Sequence, residues 1–222
     1  MGFPSERQLP SAQPPRRVGG SLAVVAALLV LTGCVAAPDG TENRSLPPGD
    51  DPTAFEPAVY DPPSPAPTLD GLVDSAGRRF SLDDLRGRVV LVSFGYTHCP
   101  DVCPTTLAVA REVLRARPDA ARVVFVTVDP ERDTADALAG YLRYFEAPIV
   151  GLTGDPATVE AVARAWGVTV VFGERDAVGN YPVIHSAGTY VVDGDGRLRL
   201  LYPYGTPADV LVAAVDRLTA EP

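Results

Sequence analysis

Lysine is missing from this sequence altogether: all 19 basic residues are arginine, set against 28 acidic ones for a net charge of −9. Phosphate recognition needs clustered cations, so a chain this acidic is excluded as a nucleic-acid binder. Histidine occurs only at His98 and His185, and the one methionine is Met1. A metal site here has at most two imidazoles to draw on, and no thioether once a leader is removed. Cysteine is scarce too, at Cys34, Cys99 and Cys103. That is too few for the disulfide framework of a small secreted domain. Long apolar runs are absent as well. The stretch Leu22–Leu31 has ten apolar residues, whereas a membrane-spanning helix needs about 20.

That short run reads instead as the hydrophobic part of an export signal over residues 1–33. It follows a polar, proline-rich start that ends in Arg16-Arg17. The wider uncharged run from Val18 to Pro38 leaves a retained membrane anchor as the other reading. The tetrapeptide Leu31-Thr-Gly-Cys34 resembles a bacterial lipobox, whose cysteine is diacylated and becomes the new N-terminus. Each buried methylene contributes about 0.8 kcal/mol, so two acyl chains anchor stably. The alternative is that Cys34 is only a small apolar residue of the signal. Either way the remaining chain lies outside the cytoplasm at a cell membrane. Residues 34–67 carry nine prolines between Pro38 and Pro67 and few large apolar side chains. This composition predicts an extended, lipid-anchored tether.

From Thr68 to the end at 222 the pattern is that of one folded domain. A short hairpin is expected to turn at Ala76-Gly77. Continuous apolar runs at Arg88–Tyr96 and Arg122–Asp129 predict buried strands. Helices are expected from Asp101–Pro104 to Ala116, over Asp133–Phe145, over Asp155–Gly167, and over Thr206–Leu218. Residues 173–186 read as irregular, and Ala187–Tyr202 as a hairpin turning at Asp193–Gly196. Strands alternating with helices predict an α/β sheet covered on both faces. Trp166 is expected in the core. Asp129 and Asp133 are explained by a strand end and a helix cap, with support of a nearby site as a lesser reading.

Cys99 and Cys103 fall where a buried strand ends and a helix begins, which is where open α/β sheets place their sites. Four residues apart on a helix, their alpha carbons lie about 6 Å apart on one face. The sulfurs can close into a disulfide or converge on one ion, and the helix N-terminus is expected to promote the thiolate at one or both cysteines. Three readings follow. A structural disulfide closing so short a loop contributes only about 2 kcal/mol. A redox couple is the second, with three residues between the cysteines in place of the familiar two. A metal clamp is the third, since two thiolates with an imidazole suit copper(I) or zinc. His98 adjoins Cys99 and is poorly placed to converge with both sulfurs. His185 lies in a loop able to fold back over them.

The segments FGYTHCPDVCPTTL (Phe94–Leu107), VDPERDT, VGLTG and YPVIHSAGTYVVDGDG, in that order, resemble the Sco/SenC family of copper-binding thioredoxin-like proteins. The resemblance runs from about Thr68 to Leu218. It implies a thioredoxin-like fold, a central mixed sheet flanked by helices. It implies copper, as Cu(I) or Cu(II), held by Cys99, Cys103 and His185. It further implies an extracytoplasmic chaperone that delivers copper to the CuA site of cytochrome c oxidase subunit II or another acceptor. The rival implication is a thiol–disulfide oxidoreductase that reduces the acceptor's cysteines through Cys99 and Cys103, itself served by a thioredoxin-like reductant. The family often has aspartate immediately before the histidine; this sequence has Ile184.

Overall fold

The computed structural model describes residues 55–221. The expected signal, Cys34 and most of the tether lie outside the described residues. The first half runs through strands β1 (Ala58–Pro65), β2 (Val73–Asp74) and β3 (Val89–Gly95), helix α1 (Val102–Ala116), strand β4 (Ala121–Thr127) and helix α2 (Ala135–Leu142). The second half adds β5 (Ile149–Thr153), α3 (Pro156–Ala165), β6 (Val170–Phe172), β7 (Val183–His185), β8 (Gly188–Val192), β9 (Arg197–Pro203) and α4 (Ala208–Ala220). Among the described residues no helix is long and apolar enough to cross a membrane.

The uncharged run that predicts a buried strand forms β3, and every residue of it is buried. It sits in the middle of a seven-stranded sheet ordered β1-β9-β8-β3-β4-β5-β2. Strands β3, β4 and β5 are parallel, while β8, β9, β1 and β2 pair antiparallel, so the sheet is mixed as expected. Helix α1 buries Cys103, Leu107, Ala110, Val113 and Leu114, a stripe at helical spacing. The Thr134 hydroxyl caps α2 by accepting from the Ala137 N–H, and the Asp155 carboxylate caps α3 by accepting from the Thr158 N–H. Trp166 is core: its ring packs on Phe94 and Tyr190, and its indole N–H donates to the Thr68 carbonyl at 3.4 Å. Asp193 accepts from the backbone N–H groups of Asp195 and Arg197, which makes the acidic-glycine tetrapeptide a hairpin turn.

Two expectations need correction. The folded domain starts before Thr68, because Ala58–Pro65 pairs with β9 as the outer strand of the sheet. Its prolines hide it from a pattern search, yet an edge strand tolerates residues that lack an N–H. Residues 173–186 are also not wholly irregular. Their last part is β7, which pairs antiparallel with β6 in a separate two-stranded ribbon, with Val170 opposite His185 and Val171 opposite Ile184. His185 is therefore carried on a strand, not in a loop.

Candidate metal centre

Strand β3 delivers the chain to the C-terminal edge of the parallel strands, where Thr97, His98 and Cys99 turn before α1. Cys99 is half-buried and Cys103, in the first turn of α1, is 2% exposed; both thiols are free. The first N–H groups of a helix have no partner within it. Asp101 supplies no side-chain cap, and the Cys103 N–H instead points to Cys99 Sγ at 3.4 Å. Gly95 makes room for Cys103 at the strand end. A Cβ there would come within 2.7 Å of Cys103 Sγ and of the Phe125 ring.

His185 faces this pair from the ribbon. Its Nε2 lies 3.8 Å from Cys103 Sγ, and its ring meets Tyr96 edge to face at 6.0 Å between centroids. Its Nδ1 is 3.0 Å from the Ser186 carbonyl oxygen. A carbonyl only accepts, so Nδ1 carries the proton and Nε2 presents its lone pair toward the sulfur. Burial holds the His185 ring below the usual histidine range, which keeps the imidazole neutral and able to bind a metal. Burial, followed by the neighbouring Cys99, pushes the Cys103 thiol well above its ordinary value. For Cys103 desolvation therefore outweighs the helix N-terminus, contrary to the expectation of a promoted thiolate.

The spacing of the donors fits one ion. Thiolate sulfur binds such ions at about 2.3 Å and imidazole nitrogen at about 2.0–2.1 Å, so two ligands at tetrahedral or trigonal angles lie roughly 3.6–3.8 Å apart. The observed 3.8 Å between Cys103 Sγ and His185 Nε2 meets that requirement. Among the described residues no three His, Cys, Asp or Glu side chains are already gathered as a finished cage. Cys99 Sγ accepts from the Cys103 amide at 3.4 Å, which keeps its sulfur beside the first turn of α1. His98 does not join them. Its side chain is 54% exposed, and its Nδ1 lies 3.0 Å from the Thr97 hydroxyl.

Two aspartates given only a lesser part in the sequence reading prove to support the site. Asp133 is fully buried. It accepts from the Thr97 N–H at 2.9 Å, the Thr97 hydroxyl at 2.6 Å and the Thr127 hydroxyl at 2.7 Å. These bonds fix the turn two residues before Cys99. Asp129, also buried, accepts from the Tyr181 hydroxyl at 2.6 Å and from Arg132 Nε, and so holds the approach to β7. The side chain of Ile184 is 70% exposed and lies on the opposite face of the ribbon from His185, beside Val171. Orientation of the imidazole comes from the Ser186 carbonyl.

A thioredoxin-like fold with two free thiols at the head of its first long helix, faced by a neutral imidazole, defines a thiol–imidazole centre. Residues 71–220 match the profile of the SCO1/SenC family, and the chain belongs to that family. It is similar to the mitochondrial protein SCO2 homolog of Bos taurus, 38% identical over 151 residues that cover 66% of this chain and 57% of that protein. Among solved structures it resembles Bradyrhizobium japonicum ScoI with copper bound. That match is 35% identical, covers 70% of this chain and 97% of the other, and has a TM-score of 0.61. Apo Sco1 from Thermus thermophilus is 34% identical, with 74% and 96% covered and a TM-score of 0.65. The chain spans just under three-fifths of the length of the mammalian relatives it matches.

Proposed function

We propose that this chain is a membrane-tethered copper chaperone whose cargo is held by Cys99, Cys103 and His185 and passed to the CuA site of cytochrome c oxidase subunit II. The observation that carries the reading is the approach of His185 Nε2 to Cys103 Sγ at ligand spacing, with the ring's other nitrogen tied to a carbonyl. Likeness to a ScoI that holds copper supports the choice of metal. Two thiolates select a soft ion such as Cu(I), and the imidazole extends the site to Cu(II). Three ligands leave a position open, so an acceptor's sulfur or nitrogen can enter before Cys99, Cys103 or His185 leaves. Copper then moves by stepwise ligand exchange without being released to water.

Both thiols are free and adjacent, which favours one second reading. In it Cys99 and Cys103 form a disulfide and pass two electrons and two protons to a disulfide of the acceptor, leaving it as two thiols ready for copper. His185→Ala separates the two. Chaperoning predicts that Cu(II) affinity, measured by competition titration, falls by more than about a hundredfold and that oxidase assembly in cells fails. Assembly that survives His185→Ala while failing with Cys99→Ser or Cys103→Ser assigns the redox role instead.

Delivery to a membrane oxidase is served by anchoring through a lipid on Cys34 at the extracytoplasmic face. Cys34→Ser is expected to abolish labelling by radioactive palmitate and to leave the leader over residues 1–33 uncleaved, so the protein migrates as a larger species. Undiminished labelling would dismiss the acyl anchor.

A further inference from the structure

A largely buried arginine, Arg132, is not used by the ligand set. Arg132 follows β4 in the turn between Asp129 and Asp133, and its side chain is only 16% exposed. Its guanidinium carbon stacks 3.8 Å from the centre of the Tyr181 ring and 5.7 Å from that of Tyr96. Its Nη1 donates to the Tyr181 carbonyl at 3.1 Å and its Nε to Asp129. The Nη2 is buried with no partner. An unpaired buried donor is a cost, and a residue that keeps it calls for an explanation beyond packing.

The partners of Arg132 supply that explanation. Tyr96 lies three residues before Cys99 and lays its ring against that of His185. Tyr181 lies four residues before His185 at the entry to β7, and its hydroxyl is fastened to Asp129. The guanidinium thus sits between the segment that carries the cysteines and the segment that carries the histidine. It grips the first by stacking, and the second by stacking plus a main-chain hydrogen bond. Only a planar fork can do both, and lysine offers neither the plane nor the two divergent donors. The ribbon itself has just three residues in each strand and needs such external fastening.

We infer that Arg132 is a positioning residue that latches the β6–β7 ribbon against the cysteine turn and thereby holds the His185 imidazole at ligand distance from Cys103. The latch is a property of the metal-free protein; its consequence for copper rests on the proposed function. Cu(I) is satisfied by two thiolates, whereas Cu(II) leans on the imidazole. Loosening the ribbon therefore weakens Cu(II) binding more than Cu(I) binding and raises the potential of the copper centre.

The test uses Arg132→Met and Arg132→Lys in the full chain, with thermal unfolding to establish that each is folded. In the copper-free protein both variants should speed amide hydrogen exchange across residues 183–186 by about tenfold or more while leaving β3 unchanged. With copper, both should bind Cu(II) about tenfold more weakly and Cu(I) within about twofold of the parent, a rise of about 59 mV for a one-electron couple. Exchange that is unchanged at 183–186 overturns the latch. So does an equal loss of both oxidation states, which would mark Arg132 as merely stabilising. If the ribbon loosens but the unaltered protein takes up no copper at these ligands, the latch stands and the reading of the site falls.

Discussion

Replacing Cys103 with serine is expected to lower the affinity for copper by more than about a hundredfold while leaving the domain folded. A hydroxyl is a hard, un-ionised donor at neutral pH, and changes outside the ligand shell alone cost tenfold to a hundredfold. Serine is slightly smaller than cysteine, so the space that Gly95 leaves for the sulfur accommodates it. The same variant carries a signature in pH. Because burial raises the Cys103 thiol, the metal-free protein holds that proton throughout the neutral range and must give it up to bind copper. Raising the pH removes the competing proton, so apparent affinity climbs about tenfold per pH unit for each thiol that ionises on binding. Cys103→Ser should reduce that slope by one proton. Competition titrations at several pH values between 6 and 8 read both effects. Stoichiometric binding with an unaltered slope would remove Cys103 from the ligand set.

The second large effect is expected at Asp133, which touches no ligand directly. Asp133→Ala strands the Thr97 N–H, the Thr97 hydroxyl and the Thr127 hydroxyl, all of which now donate to one buried carboxylate. The hydroxyls can turn to other acceptors, but the amide cannot. The net loss is about 2–4 kcal/mol, and in a domain of this size each kcal/mol moves the midpoint of thermal unfolding by about 2–4 °C. Copper affinity should fall as well, by about tenfold to a hundredfold, because Thr97 no longer fixes the turn that presents Cys99. Asp133→Asn keeps one acceptor oxygen and should lose less on both counts. A midpoint for Asp133→Ala within 2 °C of the parent would show that the network contributes little.

The difference between these residues explains which parts of the molecule can be read from the chain. Buried strands such as Val89–Gly95 declare themselves, because seven uncharged residues in a row have few other uses. Helices α2 and α3 announce their starts through Thr134 and Asp155, whose caps involve neighbours three residues on. The cysteines are legible for the same reason, since their spacing is a local fact. His185 is a candidate because the chain has so few histidines and because the family resemblance implies it. Its strand is too short for alternation to register, and the carbonyl that orients it is set by tertiary placement. Asp133 and Asp129 are hardest to see. Their partners Thr97 and Tyr181 stand 36 and 52 residues away, and no periodicity links them. The segment Ala58–Pro65 was concealed by composition, because proline content that signals an unfolded leash also suits an outer strand.

That outer strand shapes how the protein behaves among its own copies. With Pro62, Pro63 and Pro65 in its eight residues, β1 turns to the surroundings a rim short of amide donors. A rim of that kind is a poor template for another chain. If many copies are held side by side on one surface, the local concentration is high and open sheet borders invite stacking into fibrils. The prolines let the last stretch of the leash close the sheet and, in the same few residues, blunt that border.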